Sequence, residues 1–449
     1  MGRLREFVQR LTGSSRVIAD QWLRRSLFVV GGLAVGGAAV LMAKLADGAQ
    51  AVFREILAVS PWIALGLTPL GFAGAVWLAR HVFPNSQGSG IPQVIAAREI
   101  ENPVRRDALV SLRVAFGKIV VMTMGLLCGA SIGREGPTVQ VGAALMAAAG
   151  RLSPERLRGL LLAGGAAGVA AAFNTPLAGI VFAIEELSRS FEAKTSGLVV
   201  TTIIAAGLTS LALVGDYSYF GKTAARLPFG ADWIAVAACG VLGGLAGGLF
   251  GRIVIAFGRG LPGRSGAWIL RRPVVFAALC GLGVALCGLL TGGHAYGTGY
   301  EQARALLHGT EAVHEGFAPA KFAATVLSSI SGIPGGLFAP SLAVGAGLGA
   351  EVARLFTAAP PGALVLIGMV AYLAGTLQAP ITAFVIVSEM TETHAMMIPL
   401  MIAALIADAT AKLICPHGLY HALAALIVAE AAPATREPEG PVRDLPERP

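Results

Sequence analysis

Long apolar stretches separated by short polar segments run through almost the whole chain. Four of them cover residues 27–45, 61–79, 234–257 and 364–387, and each is close to the roughly 20 residues that a helix needs to cross a bilayer. No polar segment between the stretches is long enough to fold separately, and the alternating pattern of a transmembrane barrel does not occur. The pattern predicts an all-α polytopic membrane protein.

The composition supports this interpretation and sets the domain boundaries. Of the 449 residues, 55% are apolar and 13% are charged, whereas soluble domains carry about 25% charged residues. We predict a cytoplasmic amino-terminal segment, one membrane transport domain made of two halves, and a polar, Pro-rich cytoplasmic tail that is disordered. Their ranges are 1–26 for the segment, 27–430 for the domain, 27–215 and 233–430 for its halves, and 431–449 for the tail.

The net charge of +8 could suggest nucleic acid, but the basic residues lie in short clusters beside apolar stretches. Six arginines precede residue 27, and Arg259, Arg264, Arg271 and Arg272 fill a central connection. This is the positive-inside pattern of a multi-pass membrane protein. We therefore place both clusters in the cytoplasm, expect the chain in the inner cell membrane, and expect the lipid bilayer rather than nucleic acid as its partner.

The chain also carries an internal repeat. Two series of two prolines and a glutamate follow one another: Pro137, Pro176 and Glu185, then Pro340, Pro380 and Glu389. The prolines are 39 and 40 residues apart, and each glutamate follows its second proline by 9. Shared composition is the alternative explanation, but the preserved spacing favours a duplication. We predict two halves, inverted relative to each other and built of broken and tilted helices, with the substrate site near the midplane between them.

Three short motifs place glycines and a proline at expected helix starts within apolar surroundings. They are Gly88-Ser89-Gly90-Ile91-Pro92, Gly133-Arg134-Glu135-Gly136-Pro137 and Gly336-Leu337-Phe338-Ala339-Pro340. Proline suits the first helical turn, and glycine lets the backbone approach a ligand closely. A helix start leaves up to four N–H groups unpaired and concentrates about half a positive charge there. One motif alone could be a kink, but three converging starts predict an anion site.

Together, these motifs resemble the CLC family of chloride channels and chloride/proton exchangers, of the prokaryotic type without carboxyl-terminal CBS domains. The resemblance spans about residues 27–430 and includes the Glu185-Glu186 pair and Tyr420. It implies that Ser89 and Tyr420 donate hydroxyl groups to a central anion. It further implies that Leu337 and Phe338 contribute backbone N–H groups. A homodimer with one pore per subunit is also implied.

Glu135 is the predicted gate. Its carboxylate lies among exposed N–H groups that stabilise it when ionised, so it can occupy the anion's place and block it. Protonation would free that place and so couple proton and anion occupancy. By resemblance, Glu186 is the inner proton-transfer residue. Its neighbour Glu185 matches Glu389 in the repeat, and adjacent helical residues point about 100° apart, so we interpret Glu185 as structural.

Lys118 occupies the family's basic position before the second motif, but its usual acidic partner is missing. Gln93, Val94 and Ile95 follow Pro92, where the exchangers commonly carry glutamates. This departure leaves the electrostatics of the inner proton entry open. Ser89 favours chloride, since relatives that prefer nitrate often carry proline at this position.

The predicted function is chloride transport coupled to proton counter-transport. The alternative is a passive, voltage- or pH-gated chloride channel of the same fold. A membrane-embedded enzyme, such as an intramembrane hydrolase, would require a serine or acid paired with a base at membrane depth, and the sequence suggests no such pair. His417 and His421 lie near Cys415, but nothing completes a metal site, so we interpret them as interfacial. We expect chloride and protons as transported ions, with no metal or other cofactor.

Overall fold

The computed structural model describes residues 2–150, 156–188, 193–215, 219–230 and 232–431, with side chains from residue 25 onward except 193–196. Residues 432–449 of the predicted tail therefore lie outside the described residues. The same holds for the side chains of the amino-terminal arginines up to Arg24.

All regular secondary structure in the described part of the chain is helical, with no strand and two isolated bridges. This confirms the predicted all-α fold. The helices in chain order are α1 (Gly2–Val59), α2 (Ala64–His81), α3 (Ile91–Glu99), α4 (Pro103–Leu109), α5 (Leu112–Leu127), α6 (Glu135–Ala149), α7 (Leu157–Phe173), α8 (Pro176–Phe182), α9 (Ala193–Val214), α10 (Trp233–Arg259), α11 (Gly263–Arg271), α12 (Pro273–Leu290), α13 (Tyr300–His308), α14 (Phe317–Ile330), α15 (Phe338–Leu355), α16 (Pro361–Leu377), α17 (Pro380–Thr391), α18 (Met397–Ile414) and α19 (Leu419–Ala431).

Within the described residues, seven helical stretches are long and apolar enough to cross a membrane. Others, including α7, α14, α16 and α17, are apolar but shorter, as expected for broken helices. The apolar stretch 364–387 is not one span, because α16 ends at Leu377 and a separate helix begins at Pro380. Pro380 lacks the N–H that would continue α16, and the residue before a proline is driven out of the helical region.

The two halves break their helices with the same backbone geometry. Asn174 ends α7 with φ/ψ of 57°/41°, and Gln378 ends α16 with 58°/38°. The residues that follow, Thr175 and Ala379, are also alike, at −130°/82° and −127°/76°. A left-handed residue at the end of a helix is a common stop signal. The spacing found in the sequence therefore corresponds to one structural unit that occurs twice.

The repeated glutamates join the two units reciprocally. Glu185 accepts hydrogen bonds from the N–H groups of Ile381 (3.1 Å) and Thr382 (2.6 Å) at the start of α17. Glu389 on α17 accepts from Leu177 (3.1 Å) and from Ala178 (2.8 Å) at the start of α8. Each acid neutralises the positive end of the other half's helix. Because each helix's end meets the other's start, the units run antiparallel, as in an inverted repeat.

Phe338, the first residue of α15, is fully buried. Its ring contacts Phe173 of α7 and Phe182 of α8 edge-on, with centroids 5.7 and 5.9 Å apart. It also lies over Tyr420 of α19, with centroids 6.4 Å apart. This aromatic packing gathers helices from both halves around the start of α15.

Candidate anion and proton site

The three glycine motifs come together at the starts of α3, α6 and α15. The N–H and C=O groups of Gly133 and Gly336 exchange two hydrogen bonds of 2.7 Å, and the Gly335 N–H donates to the Gly88 carbonyl at 3.1 Å. Segments more than 200 residues apart in sequence thus form one continuous backbone lining. The arrangement places three helix amino termini, each with unpaired N–H groups, around one point.

The backbone at this point leaves no space for a side chain on Gly136. A Cβ atom there would lie 2.3 Å from the Ser89 hydroxyl oxygen and 2.8 Å from the Ser89 carbonyl oxygen. On the same lining, a Cβ on Gly133 would lie 2.3 Å from Oε2 of Glu135. The two glycines therefore allow the first motif and the Glu135 carboxyl group to approach the backbone of the second motif.

Two buried hydroxyl groups lie beside the helix starts. Ser89 is 8% exposed and Tyr420 is fully buried. Neither oxygen has a partner of normal hydrogen-bond geometry in the described part of the chain. Because buried hydroxyl groups are nearly always bonded, this pair fits a site whose acceptor is a bound ion.

The carboxyl group of Glu135 lies at the starts of both α6 and α15. It is fully buried, and it lies against the N–H groups of Arg134, Glu135 and Ala339. Neither oxygen completes a hydrogen bond of normal geometry within the described residues. The structure thus holds a negative side chain where helix starts favour negative charge.

Arg134 points away from this group. Its Nη1 donates to the carbonyl oxygen of Ala43 (3.1 Å) and to Oδ1 of Asp47 (3.0 Å), and its guanidinium carbon lies 5.7 Å from the centre of the Tyr219 ring. Arg134, Asp47 and Tyr219 line a cavity of about 780 Å³ that adjoins the second motif. Arg134 therefore contributes its backbone to the glycine motifs and its charge to the cavity.

Lys118 is fully buried and bonds to the first motif. Its Nζ donates to the carbonyl oxygens of Gln87 (3.1 Å) and Gly88 (2.9 Å). Backbone carbonyl groups thus surround the buried charge of this lysine. The Gly88 carbonyl accepts from both Lys118 and Gly335.

The adjacent acids Glu185 and Glu186 have different partners, as the sequence indicates. Glu185 caps α17, whereas Glu186 is 3% exposed and lies with Oε1 3.7 Å from Nε2 of His421. Both acids belong to a π-helical turn, Ala183–Ser188, that follows α8. Such turns are frequent at functional sites. Glu186 thus lies beside α19, the helix that carries Tyr420.

Two contacts, one of Lys321 and one of His421, were not predicted from the sequence. Lys321 of α14 is fully buried, and its Nζ donates to the carbonyl oxygens of Ala295, Tyr296 and Gly297. It lies 203 residues after Lys118, so comparison of the two halves could have found it. His421 was interpreted as interfacial, yet it contacts Glu186. No spacing signal links residues 235 positions apart.

The profile of the family described as "Voltage gated chloride channel" matches residues 71–412. The chain belongs to this family. This confirms the resemblance and identifies a membrane transport protein rather than an enzyme. Several relatives carry the name H(+)/Cl(-) exchange transporter ClcA. The one from Cronobacter sakazakii is 32% identical over 79% of this chain and 77% of its own length, and the one from Yersinia pseudotuberculosis is 31% identical over 87% and 81%.

Solved structures of the family have the same fold. A slow cyanobacterial Cl⁻/H⁺ antiporter aligns with a TM-score of 0.76 and 24% identity, covering 91% of this chain and 97% of its own. A CLC-type fluoride/proton antiporter aligns with a TM-score of 0.73 and 24% identity, covering 89% and 97%. The helical architecture is therefore that of the family over nearly the whole described chain.

Proposed function

We propose that this protein exchanges chloride for protons across the membrane, with Glu135 as the gate. The observation that carries the proposal is the position of its carboxyl group, buried against N–H groups at the starts of α6 and α15. An anion and an ionised Glu135 would compete for the same N–H groups. Protonation of Glu135 removes its charge and lets an anion bind, so that one proton transfer accompanies each change of occupancy.

Chloride fits the lining through partial charges alone. Helix starts and the hydroxyl groups of Ser89 and Tyr420 offer hydrogen bonds without a full positive charge, so that a monovalent anion binds and leaves. Leu337 and Phe338 supply N–H groups at the start of α15 in this proposal. The names of the exchangers in the family support the same pair of ions. No cofactor is required beyond the two transported ions.

A passive chloride channel of the same fold is the second candidate. Glu186 favours the exchanger, because an ionisable group buried inside a membrane domain is costly and is usually retained for function. Its position beside α19 provides a second proton-binding group for an inner route. A channel needs only the gate.

The test is a proteoliposome assay in which a chloride gradient is the only driving force. We expect uphill proton movement with the unmodified protein. Glu135→Gln should keep chloride flux and lose proton movement, because the amide cannot be ionised. Chloride flux without any proton movement in the unmodified protein would support the channel instead. Persistence of uphill proton movement in Glu135→Gln would remove Glu135 as the gate.

We also propose a homodimer in the inner cell membrane, with one pore per subunit. The starts of α8 and α17 carry exposed apolar side chains, Leu177 at 62% and Ile381 at 50%, and Ile398 on α18 is 64% exposed. These side chains flank the reciprocal caps and fit a second copy as well as lipid. Cross-linking of paired cysteines at Leu177 and Ile381 in membranes tests the dimer. A pair of cysteines on a lipid-facing surface serves as the control. Absence of a cross-linked dimer with the cysteines at Leu177 and Ile381 would contradict the proposed homodimer.

A further inference from the structure

Glu186 and His421 form a pair between the buried interior and the protein surface. The Glu186 side chain is 4% exposed and the His421 side chain is 20% exposed, with 3.7 Å between Oε1 and Nε2. His421 directly follows Tyr420 on α19, and Tyr420 is near both Glu186 and Glu135. One turn of α19 therefore presents a hydroxyl group to the anion lining and an imidazole to the inner acid.

The helices around this pair carry other charged groups in different positions. On α3, Arg98 donates to the backbone carbonyl of Leu187, and Glu99 is exposed. On α10, Arg252 and Arg259 are exposed. They interact electrostatically with Cys415, which precedes the start of α19. Among these groups, His421 is the one whose side chain contacts Glu186, and an imidazole can both donate and accept a proton.

We propose that His421 is a proton-relay residue that delivers protons to Glu186 and removes them. This inference rests on the proposed exchange function. The imidazolium Nε2–H gives its proton to a Glu186 carboxylate oxygen, which leaves a neutral imidazole and a carboxylic acid. The imidazole then takes a proton from water, and the reverse sequence returns a proton to the solvent. At 3.7 Å the transfer needs a small side-chain movement or one bridging water.

Helix α3, which packs against α19, offers no alternative proton carrier. Gln93 and Ile95 follow the first motif on this helix. Ile95 is buried, and the Gln93 Nε2 donates to the Gln87 carbonyl (2.8 Å), so α3 offers no titratable group on this face before Arg98. The imidazole on α19 provides the titratable group that α3 lacks.

The experiment compares His421→Gln with His417→Gln in proteoliposomes. His417 lies four residues earlier and is exposed. The same substitution at this histidine therefore serves as the matched control. We expect chloride-driven proton flux to fall about 100-fold in His421→Gln, because a positioned proton-transfer group contributes about 10²–10⁴-fold, and to stay unchanged in His417→Gln. Added imidazole should restore the flux of His421→Ala, because it replaces the missing proton carrier.

Damage to the anion route is measured separately. In the Glu135→Ala background, where proton movement is absent, chloride flux should be the same with and without His421→Gln. A matching loss of chloride flux there, or no rescue by imidazole, would assign His421 a structural role and overturn the proposal. Full proton flux in His421→Gln would also overturn it. If the unmodified protein moves no protons uphill, the exchange function itself fails, and the two failures are thereby distinguished.

Discussion

Glu185, which corresponds to Glu389 in the repeat, and its neighbour Glu186 should have opposite mutant phenotypes. Glu185→Gln removes one of the two reciprocal caps, whereas Glu186→Gln removes the buried acid beside His421. The two residues are adjacent and the substitution is the same, so each variant is the matched control of the other. We expect Glu185→Gln to lose stability and keep proton coupling, and Glu186→Gln to keep stability and lose proton coupling.

The size of the stability loss follows from the cap. Glu185 accepts two backbone hydrogen bonds, at 3.1 and 2.6 Å, and a hydrogen bond to a charged group contributes about 1.5–3 kcal/mol. Glutamine keeps one acceptor oxygen but turns an NH₂ group toward the other N–H. It also loses the charge at the helix start, which contributes about 0.3–1 kcal/mol. We expect a loss of about 2 kcal/mol, or about 30-fold in the unfolding equilibrium constant.

The assay has two readouts on the same preparations. Chemical unfolding in detergent micelles gives the stability difference, and chloride-driven proton uptake in proteoliposomes gives the coupling. Glu389→Gln should behave like Glu185→Gln, since it caps α8 with bonds of 3.1 and 2.8 Å. The double variant should lose less than the sum, because both caps hold the same antiparallel pair of helices.

The reasoning would be refuted by a Glu185→Gln protein of unchanged stability that no longer moves protons. It would equally be refuted by a Glu186→Gln protein that loses stability like Glu185→Gln and retains full coupling. Either result would show that the repeat does not separate structural from functional acids.

Three further substitutions test the lining itself. Gly136→Ala places a Cβ 2.3 Å from the Ser89 hydroxyl oxygen. The overpacking costs about 1–3 kcal/mol and should weaken chloride binding, measured by calorimetry, by at least about fivefold. An unchanged chloride affinity would contradict the close approach of Gly136 and Ser89. Ser89→Ala removes one hydroxyl donor and should weaken chloride binding by about 1 kcal/mol. An unchanged chloride affinity would show that Ser89 does not bind the anion. Lys118→Met leaves the Gly88 carbonyl without its charged donor and should lower the unfolding free energy by about 2 kcal/mol, which detergent unfolding measures; equal stability would show that the buried lysine adds nothing.

Local chemistry in the sequence was sufficient to predict the helix starts and the repeat. The prolines at 92, 137 and 340 lie in the first turns of α3, α6 and α15, because a missing N–H has no cost there. The stops at Asn174 and Gln378 likewise follow from the proline two residues later. These features depend on neighbours within a few positions, and a sequence shows such neighbours directly.

Contacts between distant segments were decided by the tertiary structure alone. The backbone bonds between Gly133 and Gly336 join the halves, and the contact of Glu186 with His421 spans 235 positions. Spacing within each half carries no information about which helix start meets which. The sequence by itself therefore predicted which residues are candidates for binding an anion or a proton. The packing of the two antiparallel halves decided which of them meet, because only tertiary packing brings groups so far apart in the chain into contact.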